Sequence, residues 1–257
     1  MSGRGAVWGA SLAAVFVASA IPLFATWFLA SRPALTSRLV PRLIMIAAGA
    51  LLGAAAFHLI PESLDRVASG QVWLLTGAGV AALALLERGI HAMERPSTVS
   101  GSAPHETLGH RSHLMPLGIV SDALHNTIDG ALVATAFMTN PSLGAFAGAA
   151  IALHELPREL GTFALCVDGG MTPRRAILIN AATGVLALLG AVIALAVGVD
   201  ARRFGELLLP FAAGNFIYLA GAILIAQRRE SRAGTVVMRA ALVVAGVAMT
   251  AILRGQH

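Results

Sequence analysis

Lysine is absent from this chain: all 18 basic residues are arginine. Charge of either sign is scarce, at 12% of residues, about half the share of a soluble globular domain. That excludes an ordinary water-facing surface. There is a single cysteine, Cys166, so no disulfide forms within the chain; lying in an apolar run, it reads as a small inert hydrophobe. All the arginines but Arg158, which lies inside a stretch, stand singly or in pairs at the ends of apolar segments, which leaves no basic patch for nucleic acid. What fills the chain instead is apolar: 57% of its 257 residues are hydrophobic.

Stretches of about 20 apolar residues are long enough to cross a bilayer. Eight occur, at roughly 6–29, 42–61, 71–93, 114–138, 143–167, 174–198, 204–227 and 234–253. They predict an all-α polytopic membrane protein, residues 1–257 forming one transmembrane domain. The first stretch lacks a small-residue cleavage site and is read as a retained helix, kinked at Pro22, not as a signal peptide. Arginine asymmetry sets the orientation. The connections after stretches 1, 3, 5 and 7 carry Arg32, Arg38, Arg42, Arg88, Arg95, Arg111, Arg174, Arg175, Arg228, Arg229, Arg232 and Arg239; the other side carries Arg4, Arg66, Arg202, Arg203 and Arg254. The positive-inside rule then puts both termini on the non-cytoplasmic side of the cell's inner membrane.

Only one connection is long. Residues 94–113, rich in Ser, Gly and Pro, predict a cytoplasmic linker. It carries His105, Glu106, His110 and His113, which either gather a metal transiently or are incidental to a solvated loop.

Charged and metal-ligand side chains interrupt two of the apolar stretches. The fourth holds Asp122, His125, Asn126 and Asp129, and the fifth holds His154, Glu155, Pro157, Arg158 and Glu159. A carboxylate at mid-membrane costs roughly 2.5–3.5 kcal/mol on insertion scales, so such groups face a partner, a cavity or an ion path. At about 100° per residue, His125 and Asp129 share one helix face, with Asp122 and Asn126 as a second i,i+4 pair beside it. In the fifth stretch His154–Arg158 and Glu155–Glu159 make neighbouring stripes, and Pro157 frees the carbonyl of Leu153. Imidazole, carboxylate and amide oxygen together suit a borderline divalent ion such as Zn²⁺, Fe²⁺ or Mn²⁺. An interhelical hydrogen-bond network is the competing reading.

These motifs resemble helices 4 and 5 of the ZIP (Zrt/Irt-like) family of divalent metal transporters, in a prokaryotic-type form. The resemblance continues through Gly170-Met171-Thr172-Pro173-Arg174-Arg175-Ala176 to Asn180, and includes His58-Leu59-Ile60-Pro61-Glu62, Glu87 and Ala213-Gly214-Asn215-Phe216-Ile217-Tyr218. It implies an eight-helix bundle with inverted repeats and a transport site near the midplane. It further implies a primary metal on His125, Asp129 and His154, and a second on Asn126 and Glu155 with position 158 shared. The chain departs from the pattern there, because Arg158 stands where the family has histidine or glutamate. A guanidinium has no free lone pair and ligates no metal. Arg158 is therefore expected to pair with Glu155, Asp129 or Glu159 and to replace the second ion, leaving one metal: zinc, with iron, manganese or cadmium as alternatives.

Smaller expectations attach to other residues. His58 and Glu62 mark the entrance of the path, Glu87 and His91 its cytoplasmic exit, and Asp122 and Glu159 modulate the site. Asn180 either offers an oxygen to the second-ion region or bonds between helices. The function expected is divalent cation transport into the cytoplasm, with a non-transporting metal-binding or regulatory membrane protein as the alternative. Homodimerisation is left open. A zinc protease needs His-Glu-x-x-His, and His154-Glu155-x-x-Arg158 breaks that pair of histidines, so no enzyme is expected.

Overall fold

A computed structural model describes residues 2–93, 114–198, 200–228 and 233–254. They form eight helices: α1 (Ser2–Ala30), α2 (Pro33–Arg66), α3 (Ser69–Met93), α4 (Leu114–Thr139), α5 (Pro141–Asp168), α6 (Pro173–Val197), α7 (Asp200–Arg228) and α8 (Ala233–Arg254). No strand occurs among the described residues. Each expected span is present, and most are longer than their apolar windows because flanking polar turns stay helical. In α2, Pro33 at the first turn starts the helix about nine residues before the apolar stretch, a position where its missing N–H is no loss. Pro22 lies inside α1 without interrupting it.

Length and composition make α1, α2, α3, α6 and α7 apolar enough to cross a membrane, and α8 contributes the apolar run 236–252. The two remaining helices, α4 and α5, are those that carry the charged motifs. Their 26 and 28 residues reach about 39 and 42 Å at 1.5 Å per residue, enough to span.

The pairings have a two-fold pattern. Exchanging α1 with α6, α2 with α7, α3 with α8 and α4 with α5 turns α4–α6 into α5–α1, α2–α8 into α7–α3, and α2–α5 into α7–α4; all of these pairs are in contact. Glycines repeat it. A Cβ on Gly49 of α2 would overlap the carbonyl of Val243, and one on Gly246 of α8 that of Ile46; likewise Gly79 of α3 meets the carbonyl of Phe211, and Gly214 of α7 that of Thr76. Each exchange except that of the neighbours α4 and α5 joins helices five apart, and all join an odd number apart. Partners in a chain that crosses with every helix therefore run oppositely, so the repeats are inverted.

Two local features position the site. Asn140 is the whole connection between α4 and α5; its side chain accepts the N–H of Ser142 at 2.8 Å and Pro141 opens the helix, an N-cap and N1 arrangement. In α2 a π-helical turn, Ala55–Leu59, precedes Pro61. Such turns absorb one extra residue within a helix, and this one carries His58.

Candidate metal site

Asn140 sets the register of the two motif helices. His125 lies 15 residues before it and Glu155 15 after; Asp122 lies 18 before and Arg158 18 after. Antiparallel helices closed by one residue therefore bring His125 level with Glu155, about 22 Å from the turn, and Asp122 level with Arg158. That depth is about half of the ~40–45 Å bilayer including headgroups.

At the upper level, one ligand atom each from His125, Asp129, His154 and Glu155 lies within 4.8 Å of all the others. His154 Nε2 is 3.0 Å from Asp129 Oδ2 and His125 Nε2 is 3.4 Å from the same oxygen. Glu155 Oε1 stands 4.0 Å from His125 Nε2 and 3.8 Å from His154 Nε2. His125 is 3% exposed and neither of its ring nitrogens has a hydrogen-bond partner, although its ring packs on Phe216 with centroids 4.7 Å apart. A neutral imidazole offers one lone pair, and a buried one without a partner is a costly arrangement unless a cation takes it.

At the lower level the residues form an ion network. The Arg158 guanidinium grips both oxygens of Glu155, donates to Asp122, and lies 3.8 Å from Glu159. Thr162 donates to Asp122 at 3.1 Å, and the Asn126 amide donates to Asp122 at 3.3 Å and to Glu159 at 3.2 Å. Asp122, Asn126, Glu155, Arg158 and Glu159 are all buried. Of the partners expected for Arg158, the structure has it paired with Glu155 and close to Glu159, while Asp129 turns to the two histidines; the register level with Arg158 adds Asp122. Asn180 takes the interhelical role, donating to the backbone carbonyl of Glu159 at 2.9 Å.

A cavity of about 760 Å³ leads to the histidines. Its walls come from α2, α4, α5, α7 and α8 and include His58, Glu62, His125, Asp129, Thr139, His154, Arg158 and Phe216. It runs toward the end of the bundle where α4 meets α5. His58, on the π turn, puts its ring 5.9 Å from that of His154 and its Nε2 3.6 Å from Glu62. Glu62 also pairs with Arg66 at 2.7 Å. Toward the other end, Ile44, Met45, Leu114, Leu117, Leu165 and Leu219 close the bundle in a continuous apolar core.

Glu87 and His91 lie away from this cavity on α3: the Tyr218 hydroxyl donates to Glu87, and His91 Nδ1 bonds the Glu87 carbonyl at 2.9 Å. His105, His110 and His113 fall outside the described residues.

The ZIP zinc transporter model matches residues 96–254, well over half of the chain. The chain belongs to the ZIP family. Among curated relatives, zinc transporter YKE4 of Saccharomyces cerevisiae is 29% identical over 219 residues, covering 74% of this chain and 62% of the relative. Zinc transporter zipt-7.1 of Caenorhabditis briggsae is 26% identical over 278 residues, covering 88% of this chain and 71% of that one. Zinc transporter ZIP4 of Rattus norvegicus is 42% identical over 109 residues, 42% of this chain and 16% of its own length. The chain thus spans only part of these relatives. As a ZIP member with long apolar helices, it is a multi-pass membrane protein.

Two features of this ZIP site escaped the motif reading. Asp122 is the anion that meets Arg158 across the helix pair, a partner that the equal spacing about Asn140 encodes. Phe216 is the aromatic floor of His125; it lies in the α7 segment that carries the resemblance, but nothing in the sequence assigns it to the histidine.

Proposed function

We propose that this protein carries a divalent cation, zinc first, across the membrane into the cytoplasm, binding one ion at a time on His125, Asp129 and His154 with Glu155 beside them. One observation carries the reading: four ligand atoms within 4.8 Å of one another at the end of a cavity that opens toward the α4–α5 turn. The arginine asymmetry puts that turn outside the cell. His58 and Glu62 line the approach and hand the ion inward.

Arg158 supports the one-ion stoichiometry. Its guanidinium fills the place beside Glu155 and Asn126 where a second ion would sit, and holds both Glu155 oxygens. While the guanidinium stays there it repels a second divalent ion and keeps the buried carboxylates compensated.

Metal analysis and zinc flux on the purified, reconstituted chain test both parts. One zinc per chain and saturable flux are expected, with Arg158→Glu binding two. Two ions in the unsubstituted protein would refute the surrogate charge. A second reading, a metal-binding membrane protein without flux, draws on the same clamped arginine; one bound zinc and no flux would establish it.

A further inference from the structure

Arg158 divides two spaces. Arg158 lines the large cavity and also a second, small cavity of about 20 Å³ whose walls include Ser121, Asp122, Gly161, Thr162 and Leu165. Leu51, Arg158 and Phe216 line both spaces, so Arg158 is the one polar member of the partition. A space of this size holds one water or one ion, given polar partners. Its polar wall is built from both motif helices. Asp122 accepts from Arg158 and from Thr162, and the Ser121 hydroxyl oxygen, in a residue only 2% exposed, has no hydrogen-bond partner. Gly118 and Gly161 keep the remaining wall small.

We propose that this small cavity is a transit site for the divalent ion on the cytoplasmic side of Arg158, with Asp122, Ser121 and Thr162 as its oxygen ligands and Arg158 as the gate that competes with the ion for Asp122. The inference rests on the transport reading above and adds the step after the deep site. While Arg158 holds Asp122, the small site is charge-compensated and the two spaces stay separate. When the guanidinium moves toward Glu155 and Glu159, which it already faces, Asp122 is left needing a cation and the ion supplies it. Carboxylate and hydroxyl oxygens without imidazole make a weaker site for zinc than the one above, as a place of passage requires.

Two arms test this in the full chain, reconstituted, with zinc and cadmium as probes. Ser121→Ala with Thr162→Val removes both hydroxyls and leaves the Asp122–Arg158 pair in place. Calorimetric zinc binding at the deep site is expected unchanged, with the half-saturating zinc concentration preserved and maximal flux lower by roughly ten- to hundredfold. Ser121→Ala with Thr162→Ser, which returns one hydroxyl to the double variant, is expected to recover part of the lost flux. In a Cys166→Ser background, Ser121→Cys is expected to bind one additional cadmium per chain with a thiolate–metal absorption band that Asp122→Asn abolishes. Wild-type flux in the double variant, or no additional cadmium and no band while the deep site still fills, overturns the transit site. If the double variant no longer fills its deep site, the cadmium arm decides. Unsubstituted protein that binds no zinc at all would sink the transport reading itself, a distinguishable result.

Discussion

At His125 both ring nitrogens are buried without a hydrogen-bond partner. Such an imidazole forfeits about 1–3 kcal/mol; two carboxylates stand 3.4 and 4.0 Å from its Nε2, and the ring centroid of His154 is 5.7 Å from its own. Replacing His125, Asp129 or His154 singly with alanine is expected to bring zinc uptake to background while the protein still elutes as folded membrane protein; normal flux in all three would remove the site. Ligation needs neutral imidazoles and an ionised Asp129, so protons and metal compete. Acidification toward pH 5 should therefore weaken zinc binding, by about tenfold per pH unit for each imidazole that takes up a proton. Isothermal titration between pH 5 and 8 checks it, and a flat profile would count against histidine ligation. At this scale the ligand types and their i,i+4 pairing were legible in sequence, since helical periodicity alone places His125 over Asp129. The choice among carboxylates for Arg158 was less so: Glu155 is local, but Asp122 is found only by measuring both helices from Asn140.

Among the elements, the α4–α6 contact is the tightest packing near the site. A Cβ on Gly130 would overlap the Ala187 carbonyl, and one on Gly190 the Thr127 carbonyl. Gly130→Ala must push these backbones apart, and is expected to lower the detergent melting midpoint, corresponding to roughly 1–3 kcal/mol of overpacking, and to reduce flux by tilting Asp129. Gly77→Ala, whose Cβ meets nothing within 4 Å, should be neutral or stabilising by up to about 1 kcal/mol. Equal effects from the two substitutions would contradict the packing argument. The eight spans were readable because membrane insertion demands about 20 apolar residues each. Their ends were not, since polar turns such as Pro33–Arg42 stay helical at the interface. The π turn at Ala55–Leu59 was hidden too; Pro61 hints at a disturbed helix, but not at the extra residue that turns His58 toward His154.

For the whole molecule, the arginine asymmetry and the position of the cavity make one statement about sidedness. In a Cys166→Ser background, Ala136→Cys on the cavity wall is expected to react with a membrane-impermeant maleimide added to intact cells. Thr172→Cys, in the α5–α6 connection, should react only after permeabilisation. The opposite pattern would reverse the topology. The two-fold pattern of helix pairings has a thermodynamic consequence of its own. A chain in which each helix pairing occurs twice, once in either direction, can build inward- and outward-open end states from the same set of helix pairings, so their free energies differ through the residues that the exchange does not match. Among these are the π turn of α2, which α7 lacks, and the unlike motifs of α4 and α5. If the protein transports as proposed, the pairing pattern alone gives it little built-in direction. The concentration gradient of its ion would decide which way net movement runs, and substitutions at those unmatched positions would shift the resting population from one face to the other.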